Sequence, residues 1–253
     1  ALTEAFDYVK QNIKEDFPHK LQKIEKTEKT IFLSGNQAVS LGKILGGCRL
    51  QTYYPITPAA DESEYLEANE IIKTKNGQES IVVIQTEDEI AAVNMASGAT
   101  LTGTRAATST SGPGFSLMVE GLSWAGNNEA PVVITYYQRG APSTGLPTRH
   151  GQDDLRFAIH AGHGEFPRIV LASGDIRECF YDAAAAFNYA ERFQMPVIHL
   201  IDKALGNSSQ TCPLFDVANT KISRGNILDE NSLQGQTYRR FSFTENGVSP
   251  RVF

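Results

Sequence analysis

From Thr30 onward the chain alternates short apolar runs with segments of helical pattern, and this rhythm constrains the fold more than any other feature. IFL precedes QAVSLGKILGG, LQTYYP precedes ADESEYLEANEIIK, and SIVVIQ precedes EIAAVNMASGATL. RAATST precedes FSLMVEGLSWAG, VVITYY leads into a long Gly/Pro loop, RIVLA precedes DIRECFYDAAAAFNYAERF, and PVIHLI closes the series. Parallel strands joined by helical crossovers are covered on both faces, so they read as short, nearly unbroken apolar runs. The expected class is α/β, with a mostly parallel open sheet of about six strands and helices on both faces.

At 253 residues and 41% hydrophobic content, the chain can bury a full core. Three parts are expected. Residues 1–28 form a helical appendage and linker, because Leu2, Ala5, Phe6, Val9 and Ile13 keep a helical spacing before the charged stretch DFPHKLQKIEKTEKT. Residues 29–203 form the main domain, and the polar, aperiodic residues 204–253 an extended arm. The net charge of -6 has no long single-sign block, and the short basic run from Lys20 to Lys29 reads as a solvated linker. That balance argues against a nucleic-acid footprint. Cys48, Cys179 and Cys212 are odd in number and far apart, fitting neither a disulfide framework nor a zinc or iron–sulfur site, so a reducing cytoplasm is expected. No stretch approaches the roughly 20 apolar residues of a membrane span, and the amphipathic, acidic start does not read as a signal peptide.

Three runs stand out against this background. In Tyr53-Tyr54-Pro55-Ile56-Thr57-Pro58, two prolines bracket a hydroxyl and hold Thr57 on a stiff loop, where ligands are commonly positioned. Glu87-Asp88-Glu89 follows the strand SIVVIQ and opens a small-residue helix that continues through Gly98 and Gly103; the next strand runs into Gly112-Pro113-Gly114, read as a tight turn before another helix. Carboxylates at a helix start are also stabilised by the macrodipole alone, and Asp88 reads as a cap or surface charge. In the run from Gln138 to Thr148, Arg139 sits just beyond a buried strand, where open α/β sheets bind ligands, and its guanidinium can hold a carboxylate through paired bonds. His163, between two glycines, reads as structural, and His150 and His160 have no partner at metal spacing.

Taken in order, Tyr-Pro-Ile-Thr-Pro, the glutamate with Gly-Pro-Gly after the next strand, and Gln-Arg-Gly-Ala-Pro-Ser-Thr-Gly-Leu-Pro-Thr closely resemble the α subunit of the 2-oxoacid:ferredoxin oxidoreductases. The resemblance implies the pyrimidine-binding domain of a thiamine diphosphate enzyme that oxidatively decarboxylates a 2-oxoacid to acyl-CoA and passes electrons to ferredoxin. It implies that Glu89, with Glu87 as the alternative two residues away, exchanges a proton with the cofactor pyrimidine, a role suited to a buried carboxyl group with a raised pKa. Pro55, Ile56, Gly112 and Gly114 would border the cofactor. Thr57, Arg139, Thr148 and Tyr54 would contact the substrate, with Thr57 and Arg139 also counted as catalytic. The start and the ending GVSPRVF resemble the joints of a longer γ/α fusion, as found in some archaeal members.

The chain has no Gly-Asp-Gly run for Mg²⁺ and diphosphate, no P-loop or GxGxxG, and no cysteine cluster. The resemblance therefore implies a β subunit that carries the Mg²⁺-diphosphate site and the iron–sulfur cluster, within a hetero-oligomer that uses coenzyme A as co-substrate. Two rivals are a non-oxidative thiamine diphosphate decarboxylase or synthase, which lacks the first and third runs, and an inactive structural subunit, which has no physical need for Thr57, Glu89 and Arg139.

Overall fold

A computed structural model describes residues 1–15, 18–22, 25, 28–74, 77–233, 235 and 237–252. Part of the basic run between residues 20 and 29, and residue 253 at the end of GVSPRVF, lie outside the described residues. The elements in chain order are α1 (Leu2–Asn12), β1 (Thr30–Ser34), α2 (Gly35–Leu45), β2 (Leu50–Tyr53), α3 (Ala60–Glu67), β3 (Ile71–Thr74), β4 (Gly77–Ser80) and β5 (Val82–Gln85). They continue with α4 (Glu89–Thr100), β6 (Ala106–Ser111), α5 (Gly112–Asn127), β7 (Val133–Gln138), α6 (Leu155–His160), β8 (Ile169–Ala172), α7 (Ile176–Phe193), β9 (Val197–Asp202), α8 (Lys203–Asn207), β10 (Ser209–Pro213) and α9 (Glu230–Leu233).

The central sheet has six strands in the order β5-β2-β6-β7-β9-β8, and every pairing is parallel. Side chains alternate across each strand, so neighbouring residues feed opposite layers. On β7, Tyr137 packs with Val39 of α2 and Phe180 of α7, whereas Ile134 and Tyr136 pack with Val93 of α4 and Phe115 of α5. Both faces of the sheet are thus covered by helices, as the sequence rhythm predicts. Helices α2 and α7 approach closely because Gly42 has no side chain: a Cβ there would lie 2.2 Å from the Phe180 carbonyl oxygen.

Several local expectations are corrected. The IFL run is not a strand of the central sheet; β1 pairs antiparallel with β10, inside the stretch read as an arm. The segment ADESEYLEANEIIK is helical only over α3, and its Ile71–Thr74 end forms a hairpin with β4. Gly112-Pro113-Gly114 is not a turn ahead of a helix but the first turn of α5, where a proline lacking N–H costs no hydrogen bond. Helix α4 ends at Thr100, so Gly103 lies beyond it with φ +85°. Helix α1 forms as its spacing predicts and buries none of its residues. Among the described residues, no helix is long and apolar enough to cross a membrane.

Candidate active site

Strands β5, β2, β6 and β7 lie side by side and end at the same edge of the sheet, so the three motif-bearing segments leave it next to one another. Thr86 joins two of these exits: its N–H donates to the Tyr53 carbonyl at 2.8 Å, and its one hydroxyl hydrogen is shared between the same carbonyl at 3.1 Å and that of Asp88 at 2.8 Å. Asp88 then caps α4 by accepting from the Ala91 N–H at 2.7 Å. An extended cap residue followed by a helix turns Glu89 inward and leaves Glu87 outside. Glu89 is 5% exposed, whereas Glu87 is exposed to solvent.

Glu89 lies against the first turn of α5. A Cβ on Gly114 would stand 2.4 Å from Glu89 Oε1 and 2.1 Å from Thr110 Oγ1, so only glycine leaves room for this carboxyl group. Burial raises the pKa of Glu89, its own backbone N–H opposes the rise, and the neighbouring Asp88 adds to it. Among the described residues no side chain donates to it, and its own backbone N–H is the one hydrogen bond it receives. This carboxyl group and its glycine cradle fit proton exchange with a ring nitrogen. At Gly112 a Cβ would meet Tyr136 Oη at 3.6 Å and Asp154 Oδ2 at 3.7 Å, ordinary contacts that do not demand glycine.

Arg139 leaves the end of β7 and is 5% exposed. Its Nη1 donates to the Thr57 carbonyl at 2.6 Å and its Nη2 to that of Thr144 at 2.7 Å, while Nε is buried without a partner. Burial lowers its pKa. Arg139 is therefore anchored by two backbone carbonyls, one from the Thr57 loop and one from its own. That second loop closes on itself, with Leu146 N–H donating to the Gly140 carbonyl at 2.8 Å and Gly140 N–H to that of Arg149 at 2.9 Å. Gly145 turns it with φ +63°, where a Cβ would come within 1.8 Å of the Gly140 oxygen.

The structure thus brings Thr57 against Arg139 and Glu89 against Gly114. Tyr54, Pro55, Thr57 and Thr148 are exposed, and Ile56 is half-buried on the α2–α7 core. Among the described residues, no hydrogen bond joins Thr148 to Thr57 or Arg139. Two features escape motif reading. Asp154, directly before α6, lies near Gly112 with its N–H on Gln138 Oε1 at 3.0 Å, and a wholly buried Lys43–Glu62 pair lies beneath the Thr57 loop. A lysine inside the apolar run of α2 is the one sequence signal for the second; Asp154 gives none. Among the described residues there is no cluster of three or more metal-ligating side chains.

A family model described as pyruvate flavodoxin/ferredoxin oxidoreductase, thiamine diphosphate-binding, matches residues 41–247. The chain is 54% identical, over its whole length, to the α subunit of 2-oxoacid:ferredoxin oxidoreductase 1 from Sulfurisphaera tokodaii, of which it spans 40%. It is 37% identical over 86% of its length to the KorA subunit of 2-oxoglutarate synthase from Methanothermobacter thermautotrophicus, spanning 55% of that protein. A solved 2-oxoglutarate:ferredoxin oxidoreductase from Magnetococcus marinus, with 2-oxoglutarate, coenzyme A and succinyl-CoA bound, superposes with a TM-score of 0.86 at 39% identity, covering 98% of this chain and 42% of that one.

Proposed function

The chain belongs to the thiamine diphosphate-binding family of pyruvate flavodoxin/ferredoxin oxidoreductases, and from that premise we propose that it supplies the pyrimidine-binding part of a 2-oxoacid:ferredoxin oxidoreductase. The reaction is oxidative decarboxylation of a 2-oxoacid to acyl-CoA and CO₂, with the electrons leaving singly to ferredoxin. The observation that carries this reading is the buried Glu89, seated in the Gly114 cradle at the same sheet edge as the Thr57–Arg139 link. The relatives' names favour it over the two rivals.

Thiamine diphosphate, when bound, supplies the nucleophilic carbon that attacks the oxoacid carbonyl. Burial raises the pKa of Glu89, which suits it to exchange a proton with the pyrimidine nitrogen, whereas Glu87 is exposed to solvent. Pro55, Ile56, Gly112 and Gly114 border the pyrimidine. Arg139 keeps N–H groups beyond those donated to Thr57 and Thr144, and these receive the substrate carboxylate. Thr57, Thr148 and Tyr54 offer exposed hydroxyls to the rest of the substrate. Residues 29–203 hold all of these groups, with 1–28 and 204–253 as flanking segments.

A β subunit provides the Mg²⁺-diphosphate site and the iron–sulfur cluster, and coenzyme A takes the acyl group. The three cysteines are buried free thiols, which fits a reducing cytoplasm. The test is reconstitution with the partner subunits and an assay of ferredoxin reduction by pyruvate, 2-oxoglutarate and branched 2-oxoacids. Coenzyme A-dependent reduction supports the proposal; coenzyme A-independent turnover indicates a non-oxidative decarboxylase, and no turnover with any partner a scaffold.

A further inference from the structure

The Lys43–Glu62 pair belongs to a polar cluster with no access to water: Lys43, Gln51, Glu62 and Tyr137 are all 0% exposed. They come from four elements, α2, β2, α3 and β7. Lys43 Nζ donates to Glu62 Oε1 in close contact and to Gln51 Oε1 at 3.0 Å. Gln51 Nε2 donates to Glu62 Oε1 at 3.3 Å, and Tyr137 Oη to Glu62 Oε2 at 2.9 Å. Both oxygens of Glu62 are therefore occupied, and each member is held by at least one other.

The cluster's place in the chain gives it a second consequence. Glu62 lies in the first turn of α3, directly after the Thr57 loop, and Tyr137 directly precedes the strand end that carries Arg139. The same two segments meet again where Arg139 Nη1 donates to the Thr57 carbonyl at 2.6 Å. Two rungs, Tyr137–Glu62 below and Arg139–Thr57 above, fix one segment against the other. Stability is a poor account of the Lys43–Glu62 pair that holds the lower rung in place, because desolvation of a buried ion pair offsets most of its attraction and apolar residues of similar volume serve as well. Fixed geometry is a better one.

We propose that Lys43, Glu62 and Tyr137 form a positioning unit that sets the distance between the Thr57 loop and Arg139, and so tunes recognition of the substrate carboxylate. The inference rests on the reading that Arg139 and Thr57 face a 2-oxoacid. Tyr137→Phe in the assembled enzyme tests it, since the ring still fills its site and only the Oη bond is lost. Its KM for every 2-oxoacid should rise about fivefold or more, while the affinity for thiamine diphosphate stays within about twofold of the parent. Because Tyr137 acts through Arg139, the double variant Tyr137→Phe/Arg139→Lys should have nearly the KM of Arg139→Lys alone. Additive effects, or a lower Tm with an unchanged KM, overturn the proposal. Hydrogen exchange separates this inference from the function it rests on. Peptides covering residues 54–62 should exchange faster in Tyr137→Phe than in the parent, with those of β8 and α7 unchanged. If the parent turns over no 2-oxoacid, the functional reading fails, yet unaltered exchange at 54–62 alone overturns the positioning unit and faster exchange there sustains it.

Discussion

A carboxyl group that must carry a proton near neutrality needs removal from water more than it needs a charged neighbour, and burial is the leading cause of the raised pKa of Glu89. Glu89→Gln keeps the shape and abolishes proton exchange, so turnover of the assembled enzyme should fall roughly 10²–10⁴-fold, as for other single acid–base groups. Glu87→Gln should stay within about twofold; the reverse outcome would exchange their roles. The same burial has a thermodynamic signature. With a native pKa above the unfolded one, Glu89 binds its proton more tightly in the folded state, so its contribution to stability is complete below the ordinary glutamate value and is lost as pH rises through the native pKa. Melting temperatures measured across that interval should decline less steeply for Glu89→Gln than for the parent, and parallel curves would remove the linkage. Sequence alone leaves Glu87 and Glu89 two residues apart with equal chemistry. What separates them is the extended geometry at Asp88, which a propensity argument does not see.

Most elements are legible because the strands of the central sheet are short, its inner four are almost wholly buried, and each is followed by a helix. The failures share a cause: a strand pattern announces itself but not its partner. Thr30–Ser34 carries such a run, yet Phe32 is 71% exposed and the strand pairs with SQTCP, whose residues have no apolar rhythm at all. In ADESEYLEANEIIK the helical spacing runs past Glu67, but Ile71 and Ile72 are β-branched and continue as a hairpin arm. Gly112-Pro113-Gly114 is ambiguous by nature, since proline suits both a turn and a helix's first turn. Close approach of helices is equally silent in sequence. Gly42 in α2 faces the Phe180 carbonyl oxygen of α7 at 2.2 Å and Ala183 Cβ at 2.9 Å from where a methyl group would sit. Gly42→Ala should therefore push the two helices apart and destabilise the chain by about 1–3 kcal/mol despite alanine's better helix propensity. Chemical denaturation measures it, and a neutral or stabilising result would mean that α7 shifts freely.

At the scale of the whole molecule, four parallel strand ends converge on one edge, and two of the groups gathered there are a buried carboxyl group with a raised pKa and a guanidinium anchored on carbonyls. A divalent cation bound to diphosphate calls for several hard oxygen ligands around one point, and among the described residues no cluster of three or more metal-ligating side chains offers them. On the proposed function, the pyrimidine end of thiamine diphosphate would meet this edge and its charged end would need another chain. Charge-assisted contacts to phosphate are stronger than neutral hydrogen bonds, so a chain without them forgoes the stronger contacts. The isolated chain should therefore bind thiamine diphosphate only weakly, with a Kd well above about 100 µM by calorimetry, equivalent to less than roughly 5.5 kcal/mol. Adding the β subunit should bring Mg²⁺-dependent binding into the micromolar range or below. Micromolar, Mg²⁺-dependent binding by the chain alone would place the diphosphate site within these 253 residues, and the division of the cofactor between two subunits would have to be abandoned.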